Sequence, residues 1–166
     1  MEYVYCGGRF DFDCLNEGYE EKAAQDYRIM LLKDVSRLLR GYGVFRCSAH
    51  LSYVGPYYFE TEQMQDTDIV EAEKRQIELC TTAVFLLDDY PCPGTVAEMV
   101  YAATLQKKIR VFYIKNEKET ESSLFSSCWY PMTLCRIINP GRTDYTSCDD
   151  HTQALEQIRN WLKNYL

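Results

Sequence analysis

The chain has 166 residues, 46% of them hydrophobic and 26% charged, the makeup of one ordinary globular domain spanning 1–166 and not of a disordered or fibrous segment. Eighteen Lys and Arg against twenty-five Asp and Glu leave a formal charge of -7, which offers no electrostatic footprint for a polyphosphate backbone. A nucleic-acid polymer is therefore not an expected partner, whereas a single nucleoside or nucleotide is compatible with the charge.

Met1 to Phe10 carry no basic leader followed by a long apolar run, and no later stretch approaches the length of a membrane span, so a soluble, cytoplasmic protein without a membrane partner is expected. In a reducing compartment most of the eight cysteines (Cys6, Cys14, Cys47, Cys80, Cys92, Cys128, Cys135 and Cys148) should be free thiols. There is no Cys-x-x-Cys, and His50 and His151 lie far apart in sequence, so no metal site is expected.

Tyr3 to Cys6 is a short β-prone run that ends in Gly7-Gly8, the form of a first strand running into a loop. From about Gln25 to Arg40, Tyr27, Leu31, Val35 and Leu38 recur at helical spacing with charged residues between them. Gly41 to Gly43 breaks that stripe. Leu51 to Val54 supplies a second strand before the turn signal Gly55-Pro56, and Asp66 to Cys80 reads as a second helix.

Ala83 to Leu87 is an apolar run short enough to be a strand buried on both faces, ended by Asp88-Asp89. A third helix runs from Gly94 to about Lys107, followed by a strand at Ile109 to Tyr113. Beyond the polar loop Asn116 to Ser123, Leu134 to Ile138 is read as the fifth strand, and Leu155, Ile158, Leu162 and Tyr165 as the core face of a final helix.

Strand and helix alternate throughout, which predicts an α/β fold: a doubly wound sheet of about five parallel strands with helices on both faces. In open sheets of this kind ligands sit at the carboxyl ends of the strands near a topological switch point. That rule picks out Gly7 to Phe12, Gly55 to Phe59, Asp88 to Glu98 and the loop after Tyr113.

Between Gly94 and Leu105 nearly every side of the third helix is apolar, and Glu98 is its only charge. Burial would push that carboxylate toward the neutral form while first-turn amides and the helix dipole favour the anion, and the balance can leave a poorly hydrated nucleophile. Thr95-Val96-Ala97-Glu98 also fits a capping box, which would give the same residues a purely structural task. In the second helix Ile69, Glu73, Ile77 and Cys80 share one face, so Glu73 interrupts an apolar stripe, either as a site residue or as a half-buried carboxylate reaching for water.

Tyr5 closes the first strand, where its hydroxyl can reach the same crevice and hold a carboxylate, or the ring can simply pack. Tyr57, Tyr58 and Phe59 follow Gly55-Pro56, where an aromatic cluster could stack a flat base. Trp129-Tyr130-Pro131 could close a pocket or form a subunit contact. Gly7-Gly8-Arg9 could cradle one phosphate. The Gly-x-Gly-x-x-Gly, Gly-x-x-x-x-Gly-Lys and Gly-x-Ser-x-Gly patterns are all missing, which weakens dinucleotide, ATP and serine-hydrolase readings.

With these residues collected, the chain resembles the nucleoside 2-deoxyribosyltransferase family, a flavodoxin-like group of small α/β enzymes that also contains nucleotide N-hydrolases. Gly94-Thr95-x-x-Glu98-x-x-Tyr101-Ala102 is similar to the family's Gly-Thr-x-x-Glu-Leu-Gly-Tyr-Ala segment, which carries the nucleophilic glutamate. Tyr5-Cys6-Gly7-Gly8 is similar to its opening strand, whose tyrosine contacts that glutamate, and Glu73 stands where the family's second-helix acid lies. Two departures are visible. The family commonly has an aspartate, implicated in ribose binding, two residues before the motif glycine. This chain has Cys92 there, with Asp88 and Asp89 as candidate substitutes. The second-helix acid is Glu where the family has Asp.

The resemblance implies cleavage of an N-glycosidic bond, with Glu98 attacking the anomeric carbon to give a covalent glycosyl-enzyme and a second base then taking the sugar. Glu73 is the expected proton donor to the departing base, Tyr5 the group that orients Glu98, and Tyr57 to Phe59 the stacking surface. Gly7, Arg9, Asp88, Asp89, Cys92, Gly94 and Thr95 complete the expected substrate site. No metal or organic cofactor is expected, and a homo-oligomer is, with Trp129 to Pro131 as the segment given to the neighbouring subunit. Two other readings stand beside this one: a deoxynucleoside monophosphate N-hydrolase in which Arg9 holds the phosphate, and a non-catalytic member that only binds a nucleotide or another protein.

Overall fold

The computed structural model describes residues 1–8, 45–56, 65–87, 93–115 and 129–165. In chain order these form β1 (Glu2–Gly8), β2 (Phe45–Arg46), β3 (Leu51–Gly55), α1 (Asp66–Leu79), β4 (Thr82–Leu87), α2 (Pro93–Thr104), β5 (Lys108–Ile114), α3 (Trp129–Ile138), β6 (Thr143–Cys148) and α4 (His151–Lys163). The helix expected over Gln25 to Arg40 lies outside the described residues.

The strands make a six-stranded sheet in the order β2-β3-β1-β4-β5-β6. Five strands run parallel, and only the two-residue β2 is antiparallel to its neighbour β3. The α/β expectation is met, with that short strand added at one edge. Alternation of side chains along each strand splits the core in two. Val4, Cys6, Val84, Leu86 and Phe112 meet Ala154, Ile158 and Leu162 of α4 on one face. On the other, Tyr5, Ala83, Phe85, Leu87, Ile109 and Val111 meet Ile77 of α1, Met99, Ala102 and Ala103 of α2, and Met132 and Cys135 of α3. Helices therefore cover both faces.

The sequence expectation fails in one element. Leu134 to Ile138 is not a strand but the second half of α3, and the last strand is Thr143–Cys148. The apolar run was too short to show its period. Met132, Cys135 and Asn139 are buried at steps of three and four while Ile137 is 69% exposed, which is the spacing of a helix and not of a strand. β6 escaped notice because it is an edge strand: only its final residue, Cys148, is buried, and its sequence Thr-Asp-Tyr-Thr-Ser-Cys is correspondingly polar.

Two boundaries also shift. Gly7 and Gly8 are the last residues of β1, paired with Phe85 and Leu86 of β4, and not the loop that a Gly-Gly pair suggests. Tyr5 accordingly lies inside the strand. α2 stops at Thr104, three residues short of Lys107, because Gln106 turns into the left-handed region with φ 57° and Lys107 N–H donates back to Ala102 at 3.1 Å.

Pairing of β1 with β3 slips by one residue. Val4 faces Tyr53 but Tyr5 faces Gly55, so Val54 is the extra residue of a bulge. Gly55 has φ 138°, a conformation that side-chain-bearing residues rarely adopt, and the Tyr53 hydroxyl donates to the Pro56 carbonyl at 2.6 Å just beyond it. Cys80, Cys135 and Cys148 are free thiols, as expected; Cys14, Cys92 and Cys128 lie outside the described residues. Among the described residues no helix is long and apolar enough to cross a membrane.

Candidate active site

The strand order changes direction between β1 and β4, which places the ligand crevice of such a sheet at the carboxyl ends of those two strands. Gly7 and Gly8 end β1 there, and α2, which follows β4, brings Glu98 back over them. The Glu98 Oε2 lies 2.8 Å from where a Cβ on Gly7 would stand, and the Phe85 ring lies 2.5 Å from the same point. Only a residue without a side chain lets the carboxylate and the ring both approach β1 so closely.

Glu98 sits in the second turn of α2 and is half-buried. Pro93 opens the helix, a position where its missing N–H costs nothing, and Thr95 is the third residue inside it. The capping-box alternative for Thr95 and Glu98 therefore fails, since a capping residue precedes the helix. Thr95 is 3% exposed and Gly94 is exposed at the helix start. Apolar on nearly every side, α2 is nevertheless not covered all round: Ala97 is exposed, because α1 and α3 flank the helix and leave its outer side open, and so is Leu105 just past its end.

Tyr5 projects from β1 into the same place. Its ring is fully buried, 6.2 Å from that of Phe85. The hydroxyl lies in loose hydrogen-bonding range of Glu98 without closing a bond of ordinary length and angle. Burial first, then the charge of Glu98, then that of Glu73, then the hydrogen-bonding tendency toward Glu98 hold it well above its ordinary value of 10.0. It is therefore a neutral donor facing two carboxyl groups. Glu73 comes from α1, half-buried on the helix side that carries Ile77, and burial raises its carboxyl above the ordinary 4.5. Tyr101, one turn after Glu98, turns away and donates to Glu78 at 2.7 Å, which ties α2 to α1.

Glu73 predicts a pH signature. A carboxyl whose folded value is raised binds its proton more tightly in the native state, so the stability it allows is complete below about 4.5 and declines as pH rises through the raised value. Glu73→Gln removes that decline. Urea unfolding should show the variant gaining on the wild type between pH 4 and pH 8, and an unchanged difference across that range would count against the burial.

Of the residues picked from sequence, the structure brings Tyr5, Gly7, Glu73 and Glu98 together, with Gly94 and Thr95 in the first turn of the helix that carries Glu98. Arg9, Tyr57, Tyr58, Phe59, Asp88, Asp89 and Cys92 lie outside the described residues. Trp129 and Tyr130 open α3, 39% and 61% exposed, with their rings edge to face at 5.6 Å. Two residues of the site escaped the sequence reading. Phe85 looked like any core residue of a buried strand. Gln76 lies seven residues after Ile69 on the apolar stripe of α1, and a buried polar side chain at that spacing was the available signal. Among the described residues no group of three or more His, Cys, Asp or Glu is placed to hold a metal ion.

No known family profile matches the chain, and no curated protein matches it in sequence. Among solved structures it is similar to the CMP N-glycosidase BcmB of Clostridium botulinum, with a TM-score of 0.55 and 13% identity over 96% of this chain and 99% of that one. The two chains share one fold. A 2-deoxyribosyltransferase from Leishmania mexicana is also similar, with a TM-score of 0.49 and 17% identity over 96% of this chain and 98% of that one. The elongation factor SelB of Methanococcus maripaludis, solved with the GTP analogue GppNHp, shares the frame at a TM-score of 0.52 and 11% identity. The chain covers 33% of SelB. The same fold thus has an N-glycosidase and a translation factor among its structural neighbours, so chemistry has to be argued from the residues at the strand ends.

Proposed function

We propose that the protein is an enzyme that cleaves N-glycosidic bonds and transfers a 2-deoxyribosyl group between nucleobases through a covalent intermediate on Glu98. One observation carries the reading: Tyr5, Glu73 and Glu98, from three different elements, converge at the switch point of the sheet.

A Glu98 oxygen attacks the anomeric carbon, and the bond from that carbon to the base nitrogen breaks with its electron pair leaving on the base. Glu73, whose carboxyl burial raises above the ordinary 4.5, gives a proton to the departing base. Tyr5 acts as a positioning residue, its neutral hydroxyl directed at Glu98. In the second step a ring nitrogen of the incoming base attacks the anomeric carbon, frees the Glu98 carboxylate and returns its proton to Glu73. Two inversions give net retention, the logic of paired-carboxylate glycosidases. Tyr57 to Phe59 supply the stacking surface, Gly94 and Thr95 the helix start beside the sugar, and Asp88 or Asp89 the contact to its hydroxyl.

Likeness to a CMP N-glycosidase favours a second reading, in which water takes the sugar and Arg9, following Gly8 in sequence, holds a 5′-phosphate. Incubating the protein with a deoxynucleoside and with its monophosphate, each with and without an acceptor base, separates the two. Exchange that requires the acceptor on the unphosphorylated substrate supports transfer. Free base released only from the monophosphate supports hydrolysis. Saturable binding with no base release from either substrate rejects both.

A further inference from the structure

Among the described residues three buried side-chain atoms lack a hydrogen-bond partner: the Tyr5 hydroxyl, Gln76 Oε1 and Asn139 Oδ1. Asn139 lies at the far end of the sheet, where its amide nitrogen donates to the Lys107 carbonyl. The other two lie on the site side. Gln76 is 6% exposed and follows Glu73 by one turn of α1. Its Oε1 is packed over Gly55, 2.1 Å from where a Cβ there would stand, and Gly55 is the β3 residue paired with Tyr5.

A buried carbonyl oxygen without a donor is normally completed by a bound water or a ligand. Met would fill nearly the same volume without desolvating a polar atom, so Gln at this position exchanges stability for the capacity to accept a hydrogen bond. We propose that the Gln76 carbonyl reads the leaving base, selecting nucleobases that present an N–H toward α1. The proposal rests on the N-glycosidic reading above. A base protonated by Glu73 also comes within range of Gln76, since side chains three apart on a helix stand about 5–6 Å from each other. The donor is either the exocyclic amine of cytosine or adenine or the ring N–H of uracil or hypoxanthine; Gln76 accepts from both.

The test compares deoxynucleosides of cytosine, adenine, uracil and hypoxanthine with those of pyrimidin-2-one and unsubstituted purine, which lack the donor, in the wild type, Gln76→Met and Gln76→Glu. Base release gives kcat/KM, calorimetric titration gives affinity independently of turnover, and thermal unfolding gives Tm. The wild type should prefer at least one donor-bearing base by about tenfold or more over its donor-free analogue, a conservative value for a site built around one hydrogen bond. Gln76→Met should reduce that preference to near unity while Tm holds or rises, and Gln76→Glu, which keeps an acceptor, should retain it. Which base is preferred identifies amine or ring N–H as the donor. A preference that survives Gln76→Met overturns the proposal. So does a lowered Tm with equal loss on every substrate, which would make Gln76 a support for the Gly55 turn. Binding selectivity that depends on Gln76 without any base release would retain the proposal and reject the catalytic reading, whereas neither binding nor release in the wild type, with these deoxynucleosides or with their 5′-monophosphates, overturns both.

Discussion

Glu98→Gln should abolish base release and base exchange while the protein remains folded. Removing a covalent nucleophile that works with its partners as a unit costs several orders of magnitude, so a loss of at least about a thousandfold is expected. The substitution keeps the size of the side chain and a hydrogen-bonding group near the Tyr5 hydroxyl, and Glu98 is only half-buried, so unfolding by urea should change little. A second readout concerns Tyr5. The charge of Glu98 is one of the causes that hold its hydroxyl high, after burial, so neutralising Glu98 should lower the Tyr5 titration toward its ordinary value. Base exchange that continues at the wild-type rate in Glu98→Gln would remove the nucleophile from the proposed mechanism.

The second large effect comes from a residue with no reactive group. Gly7→Ala puts a Cβ 2.5 Å from the Phe85 ring and 2.8 Å from Glu98 Oε2. Phe85 is fully buried and has nowhere to go, so overpacking should cost about 1–3 kcal/mol of stability. Glu98 is the end of a flexible side chain and yields instead. A displacement of about 1 Å at a reacting group is worth roughly a hundredfold in rate, so turnover should fall on that order even in molecules that remain folded. Gly8→Ala is the control. Its Cβ would meet Leu86 at 3.5 Å, an ordinary contact, and stability should be unchanged or gain about 0.4–1 kcal/mol through the unfolded chain. Equal stability losses in the two variants would refute the claim that β1 is close-packed specifically at Gly7.

The frame of the molecule was legible because its central strands are buried on both faces. Ala83 to Leu87 could hardly be anything else once helices stood on either side of it. The rims were less legible. Phe45–Arg46 is too short to register, and Thr143–Cys148 gains its identity from hydrogen bonds to β5 and not from apolar pattern. Leu134 to Ile138 was misread for the opposite reason, an apolar run in which the helical period shows only when Met132 and Asn139 are included. In the site, Glu73 and Glu98 stood out as lone charges on apolar faces; the rule for strand ends picked out Glu98, and the family resemblance set Glu73 and Tyr5 beside it. The lack of room at Gly7 depends on a ring 78 positions away and could not be read locally. The same holds for Gln76, whose polar character was visible but whose missing partner was not.

The edges of the sheet limit how copies of this protein can meet. β2 contributes two residues at one border, and β6 at the other carries Thr143, Asp144, Thr146 and Ser147, with Asp144 exposed and charged. Neither border is a long, flat, apolar template on which another chain could add a strand. Among the described residues, therefore, neither border favours strand addition, and the hydrogen-bonded ribbon is poorly suited to nucleating fibrils.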